Sequence, residues 1–492
     1  MSKVHFLSLG CPKNRVDSEH MVGIALADGQ ELVDDPEEAD SIVVNTCAFI
    51  GDAKKESVEA ILAMAEVKAN SDKKLIVAGC LAQRYVDQLE AEIPEVDHFI
   101  GTSDYERIGE LIADDRAVSA DTGAPDTLIQ LTRKKSSDRN WVSESLQYVA
   151  SENVPRVNSL SRYTAYLKIA EGCDNTCAFC IIPKLRGKQR SRPIDDLVAE
   201  ATRLASEGVV ELNLIAQDLT GYGHDLDGKP KLADLLSALQ KVDGIRWVRC
   251  MYAYPRTLSD ALLSQLNSGH NILPYLDIPV QHGSDKVLRR MKRGRDQKRL
   301  AELLINVQKK VEHLVLRSTV IVGFPGEDDA DFQKLVDFAE SVQFHRLGVF
   351  KYSDEEDTAA FELDEKVPYQ VKRSRFDKLM RRQRRIHRKH LESMIGQVHE
   401  AVVEGPSEEH AFLVVGRLWS QAPDIDGLTY LSSTRPLNSG EIVHVRVTEA
   451  HDYDLVAEVL EPEDPAIAVS APFNLRQSSG EGHQGTPVHA AD

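Results

Sequence analysis

Cys173, Cys177 and Cys180 stand in the spacing C-x3-C-x2-C. Three thiolates that close together can hold three irons of a 4Fe-4S cluster and leave the fourth iron without a protein ligand. An electron-transfer ferredoxin normally closes its cluster with a fourth thiolate, so an open iron points to chemistry at the metal. The plain alternative is structural zinc, which wants four ligands, usually as two pairs. The spare candidates His224 and Cys250 belong to no second C-x2-C or H-x3-H pair. A disulfide framework is weaker still, because the seven cysteines are odd in number and no basic start with a following apolar segment suggests secretion. No run approaches the roughly 18 apolar residues of a membrane span. The expectation is a soluble, cytoplasmic protein with reduced thiols.

Cys11, Cys47 and Cys80 tell a related story. Each follows a short apolar run: Val4 to Leu9, Ser41 to Val44, and Lys74 to Gly79. Each run is succeeded by a helical-looking segment, the rhythm of βαβ units with a parallel sheet. The spacings of 36 and 33 residues are close to one repeat each. All three thiols should therefore sit at the carboxyl ends of adjacent strands, where open α/β sheets bind ligands. Three buried core thiols remain an alternative. The functional reading is a second cluster, again with one open iron. Cys250, inside the strand candidate Trp247 to Met251, reads as a core thiol.

Length suggests about three domains. Residues 1–118 read as an α/β unit with an open parallel sheet, and 119–160 as a polar linker without period. Residues 161–395 alternate strands and helices again. Strand candidates are Ala165–Ala170, Glu211–Ile215, Trp247–Tyr252, Tyr275–Val280, Leu314–Val322 and Arg346–Tyr352. Six βα units with the cysteine triplet after the first strand make a partial (β/α)6 barrel, whose site belongs at the strands' carboxyl ends. Gln217, Gln281, His282, Gly323 and Pro325 fall at or just beyond those ends and are candidate cofactor contacts. Gly and Pro there also shape turns, and His282 could equally cap a helix. Val371–His390 carries ten Lys or Arg against one Asp on one continuous helix, either a solvated face or a docking face for acidic groups. Residues 396–465 read as a small five-stranded β-barrel of OB type, and 466–492 as a disordered tail.

The run Ala170-Glu171-Gly172-Cys173-Asp174-Asn175-Thr176-Cys177-Ala178-Phe179-Cys180-Ile181-Ile182-Pro183 resembles the cluster loop of the radical S-adenosylmethionine methylthiotransferases. Ser8-Leu9-Gly10-Cys11-Pro12-Lys13-Asn14-Arg15-Val16-Asp17-Ser18-Glu19 is similar to the RimO branch, which modifies an aspartate of ribosomal protein S-twelve. The tRNA-modifying MiaB branch usually reads Gly-Cys-Gln-Met-Asn there. Further similar stretches are Ala216 to Gly223, Pro279 to His282, Gly323 to Glu327 and Gly348 to Ser353, so the resemblance covers residues 3 to about 460. Asn175 departs from it where His is common, but it is not a ligand position. The β-rich terminal segment matches the family's TRAM domain, often an RNA binder.

The resemblance implies two 4Fe-4S clusters and S-adenosyl-L-methionine. The cofactor would chelate the open iron of the Cys173, Cys177, Cys180 cluster and, on reduction by an external one-electron donor, give a 5′-deoxyadenosyl radical. The Cys11, Cys47, Cys80 cluster would carry the sulfur that is methylated and passed to the substrate radical. Charge speaks to the substrate class separately. The net charge is −19, and residues 396–465 hold three Arg, no Lys and fourteen Asp or Glu. An RNA-binding domain should carry a basic footprint. An acidic surface suits a basic protein instead, free or within the small ribosomal subunit. The basic helix pulls the other way unless it docks on acidic neighbours, so direct RNA contact stays open. A non-catalytic iron-sulfur redox or sensor protein is the reading of another class.

Overall fold

The computed structural model describes residues 2–69, 71–113, 139–267, 270–294, 296–407, 413–464 and 466–467. The tail from 468 and the basic run Arg133 to Asp138 lie outside them.

The N-terminal unit is a six-stranded parallel sheet in the order Glu31–Leu32, Lys3–Ser8, Ser41–Thr46, Lys74–Gly79, His98–Ile100, Asn140–Trp141. Its central strands read as continuous apolar runs because helices cover both faces, and Ile42, Val43, Leu75, Ile76 and Val77 are fully buried. The last strand comes from the range read as linker. That stretch gains structure from specific polar contacts that its composition hides: Ser143 is held by Asp104, and Arg156 is buried between Glu19 and Glu200.

The central unit is a second six-stranded parallel sheet, with Thr164–Lys168, Glu211–Ile215, Trp247–Cys250, Ile272–Asp277, Val315–Val322 and Arg346–Lys351 side by side in chain order. Sequential winding with a helix after nearly every strand gives the expected open, barrel-like half-cylinder. The C-terminal unit is a closed five-stranded barrel in the order Val398–Pro406, Val414–Leu418, Thr429–Ser432, Leu455–Val459, Ile442–Ala450. No helix among the described residues is long and apolar enough to cross a membrane.

The outer units cover opposite ends of the central strands. The N-terminal unit meets their carboxyl ends. Asp17 pairs with Lys168, the last residue of the first strand, while Arg84 and Lys54 reach Glu355 beyond the last strand at 2.9 and 2.8 Å. The terminal barrel covers the amino ends. Glu211 opens its strand and is fully buried, accepting from Arg249 at 2.9 Å and from Arg417 at 2.6 Å. Asp426 pairs with Arg346, which opens the last strand, at 3.2 Å. Four of the ten basic residues on the helix Tyr369–Ser393 dock on acidic neighbours: Arg375 on Glu327 and Asp329, Arg382 on Glu340, Arg384 and Arg388 on Asp452.

Burial opposes ionisation of Glu211, but Arg417 and Arg249 outweigh it and hold the carboxyl at about 2. A depressed carboxyl contributes stability fully above its unfolded value, near 4.5, and loses it as pH falls towards 2. Replacing Glu211 by Gln leaves Arg249 buried without its carboxylate, and Arg417 with Glu404 alone, and should cost about 3–5 kcal/mol. Calorimetric unfolding should show that loss near neutral pH and a smaller acid dependence below pH 4.5 than in the unsubstituted protein.

Candidate active site between two cysteine loops

The first cysteine triplet follows from sheet register. Ser8, Asn45 and Ala78 are neighbours across three strands, so Cys11, Cys47 and Cys80 all emerge at one edge. Cys11 caps the helix Pro12–Ala27, and Cys80 opens the helix Cys80–Glu92. Ser57 Oγ accepts from the Cys47 amide and donates to its carbonyl, both at 3.0 Å. Gly10, at φ +90°, approaches so closely that a Cβ would lie 2.7 Å from Cys47 Cβ, which binds the Cys11 turn to the Cys47 loop.

The second triplet lies in the loop after the first central strand, closed by the short antiparallel pair Ala170–Glu171 and Arg190–Ser191. Gly172 at φ +79° precedes Cys173, and a side chain there would meet the Lys188 carbonyl at 2.1 Å. Only glycine fits that turn.

Each triplet has a side-chain donor to sulfur at 3.4 Å: Arg186 to Cys80, Asn175 to Cys173 and Arg293 to Cys177. Burial pushes Cys47 and Cys180 up to about 12, with neighbouring cysteines adding to the shift; burial also raises Cys80 and Cys173. Such thiols ionise readily only beside added positive charge, which a bound iron supplies. The donors present therefore fit two sulfur-ligated clusters, although among the described residues no three His, Cys, Asp or Glu side chains are set tightly enough for a single metal ion. Cys250 is a fully buried core thiol, and His224 bonds to Asp174 at 2.8 Å.

One buried polar network joins the loops. Arg186 donates to Asp17 at 2.6 Å, to Asn14 at 3.2 Å and to Glu171 at 3.2 Å, besides touching Cys80. Lys168 bonds Asp17 and Glu171. Burial works against ionisation of Glu171, but Lys168 and Arg186 overcome it and hold the carboxyl well below its ordinary range. Glu171 Oε1 accepts from Gln217 Nε2 at 2.6 Å, and Gln217 Oε1 is buried without a partner. Near Cys11, burial lowers Lys13 to about 8.

The other candidate contacts sit differently. Gln281, at φ +74°, joins the sheet through backbone bonds to Thr319 and Ile321. His282 is fully buried and its Nδ1 accepts from the Ser284 amide at 2.9 Å, fixing the start of the helix Asp285–Arg290. Its Nε2 lies 3.5 Å from Glu327. Glu327 also accepts from the Gly323 and Phe324 amides and from Arg375, so Gly323 and Pro325 belong to one turn held by that carboxylate. Sequence reasoning missed Lys13, Glu171, Arg186 and Arg293. The first two lie inside the quoted motifs; nothing in the pattern around the two arginines marks them.

Residues 3–101 match the model described as Uncharacterized protein family UPF0004, 167–339 the Radical SAM superfamily, and 395–460 the TRAM domain. The chain is 52% identical to the ribosomal protein uS12 methylthiotransferase RimO of Myxococcus xanthus, over 94% of this chain and 92% of that protein. The chain belongs to the RimO family. The protein of the same name from Geobacter sulfurreducens is 45% identical over 93% of this chain and 98% of its own length. Among solved structures, the radical S-adenosylmethionine methyltransferase TsrM from Kitasatospora setae shares the fold over 73% of this chain and 77% of its own, with a TM-score of 0.52 at 13% identity.

Proposed function

We propose that this chain is a radical S-adenosylmethionine methylthiotransferase acting on the β-carbon of an aspartate of ribosomal protein uS12. Carrying the reading is the buried contact chain Cys80–Arg186–Glu171–Gln217, which ties a residue of one triplet to the loop bearing the other. When bound, two 4Fe-4S clusters and S-adenosyl-L-methionine supply reductive radical formation and a transferable methylthio sulfur. The ligand sets are Cys173, Cys177, Cys180 and Cys11, Cys47, Cys80, with an external one-electron donor. Gln217 presents its free carbonyl oxygen beside the second triplet and is the preferred S-adenosylmethionine contact. His282, Gly323 and Pro325 shape the surrounding turns. The N-terminal unit excludes water by covering the barrel mouth.

The acidic terminal barrel supports a basic protein partner, met away from the reacting residue, in the cytoplasm where ribosomes are assembled. Of its three arginines, Arg417 is consumed by Glu211. Reduced protein given S-adenosylmethionine and a uS12 peptide bearing β-deuterated aspartate should move deuterium into 5′-deoxyadenosine, and the peptide should gain a methylthio group in place of one hydrogen. Methylthiolated tRNA adenosine beside an unmodified peptide would assign the chain to the MiaB-type reaction instead.

A further inference from the structure

We propose that Lys13 is a specificity-determining residue that receives the side-chain carboxylate of the substrate aspartate between the two cysteine loops. The inference rests on the aspartate reading above and deepens it by naming the group that selects an acidic residue.

Lys13 lies two residues after Cys11, in the first turn of the helix Pro12–Ala27. Its side chain crosses from the N-terminal unit to the mouth of the central barrel, where the ammonium stands 3.0 Å from the centre of the Tyr252 ring. Tyr252 follows the strand Trp247–Cys250 at its carboxyl end, in the left-handed region at φ +62°. An aromatic residue is costly there and persists because its surroundings hold it. Asp277 does so, accepting from the Tyr252 amide at 3.2 Å.

Lys13 is 8% exposed, and among the described residues no oxygen accepts a hydrogen bond from its ammonium. A buried cation without an acceptor is expensive, and the face of a ring offsets only part of that cost. Four neighbouring cations at the mouth are already engaged, and Arg15, which lies towards Tyr166, is less buried than Lys13. Lys168 and Arg186 hold Asp17 and Glu171; Arg317 holds Asp277 at 2.9 Å; Arg293 donates to the Pro279 carbonyl and to Cys177. Lys13 keeps its hydrogen-bonding capacity for a ligand.

An aspartate carboxylate is one bond from the β-carbon. Anchoring it fixes the carbon that must lose hydrogen and accept sulfur, both between the cluster loops. A neutral asparagine or a nucleobase offers no anion to this ammonium, so the same residue discriminates against them.

The test uses reconstituted holoprotein and two uS12 peptides that differ only in Asp or Asn at the modified position, with dissociation constants read by fluorescence anisotropy. The unsubstituted protein should bind the Asp peptide about ten- to a hundredfold more tightly than the Asn peptide, the range of one charge-assisted hydrogen bond. Lys13→Met should bind both peptides alike, with the iron content and spectra of both clusters unchanged, while Lys13→Arg should keep the preference. An Asp preference that survives in Lys13→Met, or is missing from the unsubstituted protein, overturns the proposal. Loss of one cluster's iron in both Lys13→Met and Lys13→Gln also overturns it, making Lys13 a clamp between the units. If the unsubstituted protein methylthiolates tRNA and not the Asp peptide, the aspartate reading itself fails, an outcome distinct from active protein whose preference ignores Lys13.

Discussion

Protein reconstituted with Cys173, Cys177 and Cys180 all replaced by alanine is expected to hold half the iron and sulfide of the unsubstituted protein and to form no 5′-deoxyadenosine. The three thiols share one loop, closed at its base by the Ala170–Glu171 and Arg190–Ser191 pair, and no other cysteine of the central unit is available. Cys250 is sealed in the core beneath the strands. Replacing Cys11, Cys47 and Cys80 should remove the other half of the iron while leaving cleavage of S-adenosylmethionine measurable. That triplet belongs to a separate sheet, whose apolar core does not depend on metal. Iron and sulfide analysis with electron paramagnetic resonance of the reduced proteins reads both outcomes. A complete pair of clusters in either triple variant would contradict the ligand assignment.

Arg186→Met should destabilise the protein by about 3–5 kcal/mol even without metal, because it leaves Asp17 and Glu171, both buried, with Lys168 as their shared cation. Asp17 comes from the N-terminal unit and Glu171 from the central one, so the loss falls on the interface between them. Differential scanning calorimetry of the apoprotein should show the N-terminal unit unfolding at lower temperature. The same substitution removes the N–H donated to Cys80 sulfur at 3.4 Å. Hydrogen bonds to cluster sulfurs help set the reduction potential, and losing one should lower that of the first-triplet cluster while leaving the other where it was. Potentiometric titration separates the two effects. Equal shifts in both clusters, or an unchanged melting profile, would remove Arg186 from this role.

The architecture was legible because its strands are short apolar runs bounded by turn residues, and burial on both faces of a parallel sheet leaves that trace directly in sequence. Glu211–Ile215 and Ile442–Ala450 fall where their patterns put them. Strand ends blurred where apolar residues continue into a loop, as at Met251 and Tyr252. The strand expected at Tyr275–Val280 runs instead over Ile272–Asp277, with Pro274 inside it. The linker range looked structureless because the partners of Arg156 and Ser143 lie far away in sequence. Cysteine spacing conveyed both triplets. The Arg186 network could not be read this way: a buried ion pair between residues 169 apart leaves no local periodicity. His282 shows the converse, a residue with catalytic chemistry whose Nδ1 is occupied by the turn it stabilises, while its Nε2 is buried without a hydrogen-bond partner.

The Glu211 contact also has a timing. On a ribosome adding roughly 5–20 residues per second, Arg249 follows Glu211 by 38 residues and Arg417 by 206. The central half-cylinder, complete at Lys351, is therefore made several seconds before its second counter-ion exists, with a carboxylate at its amino end neutralised on one side only. A chain released early, lacking the terminal barrel, keeps that exposed and half-paired end permanently.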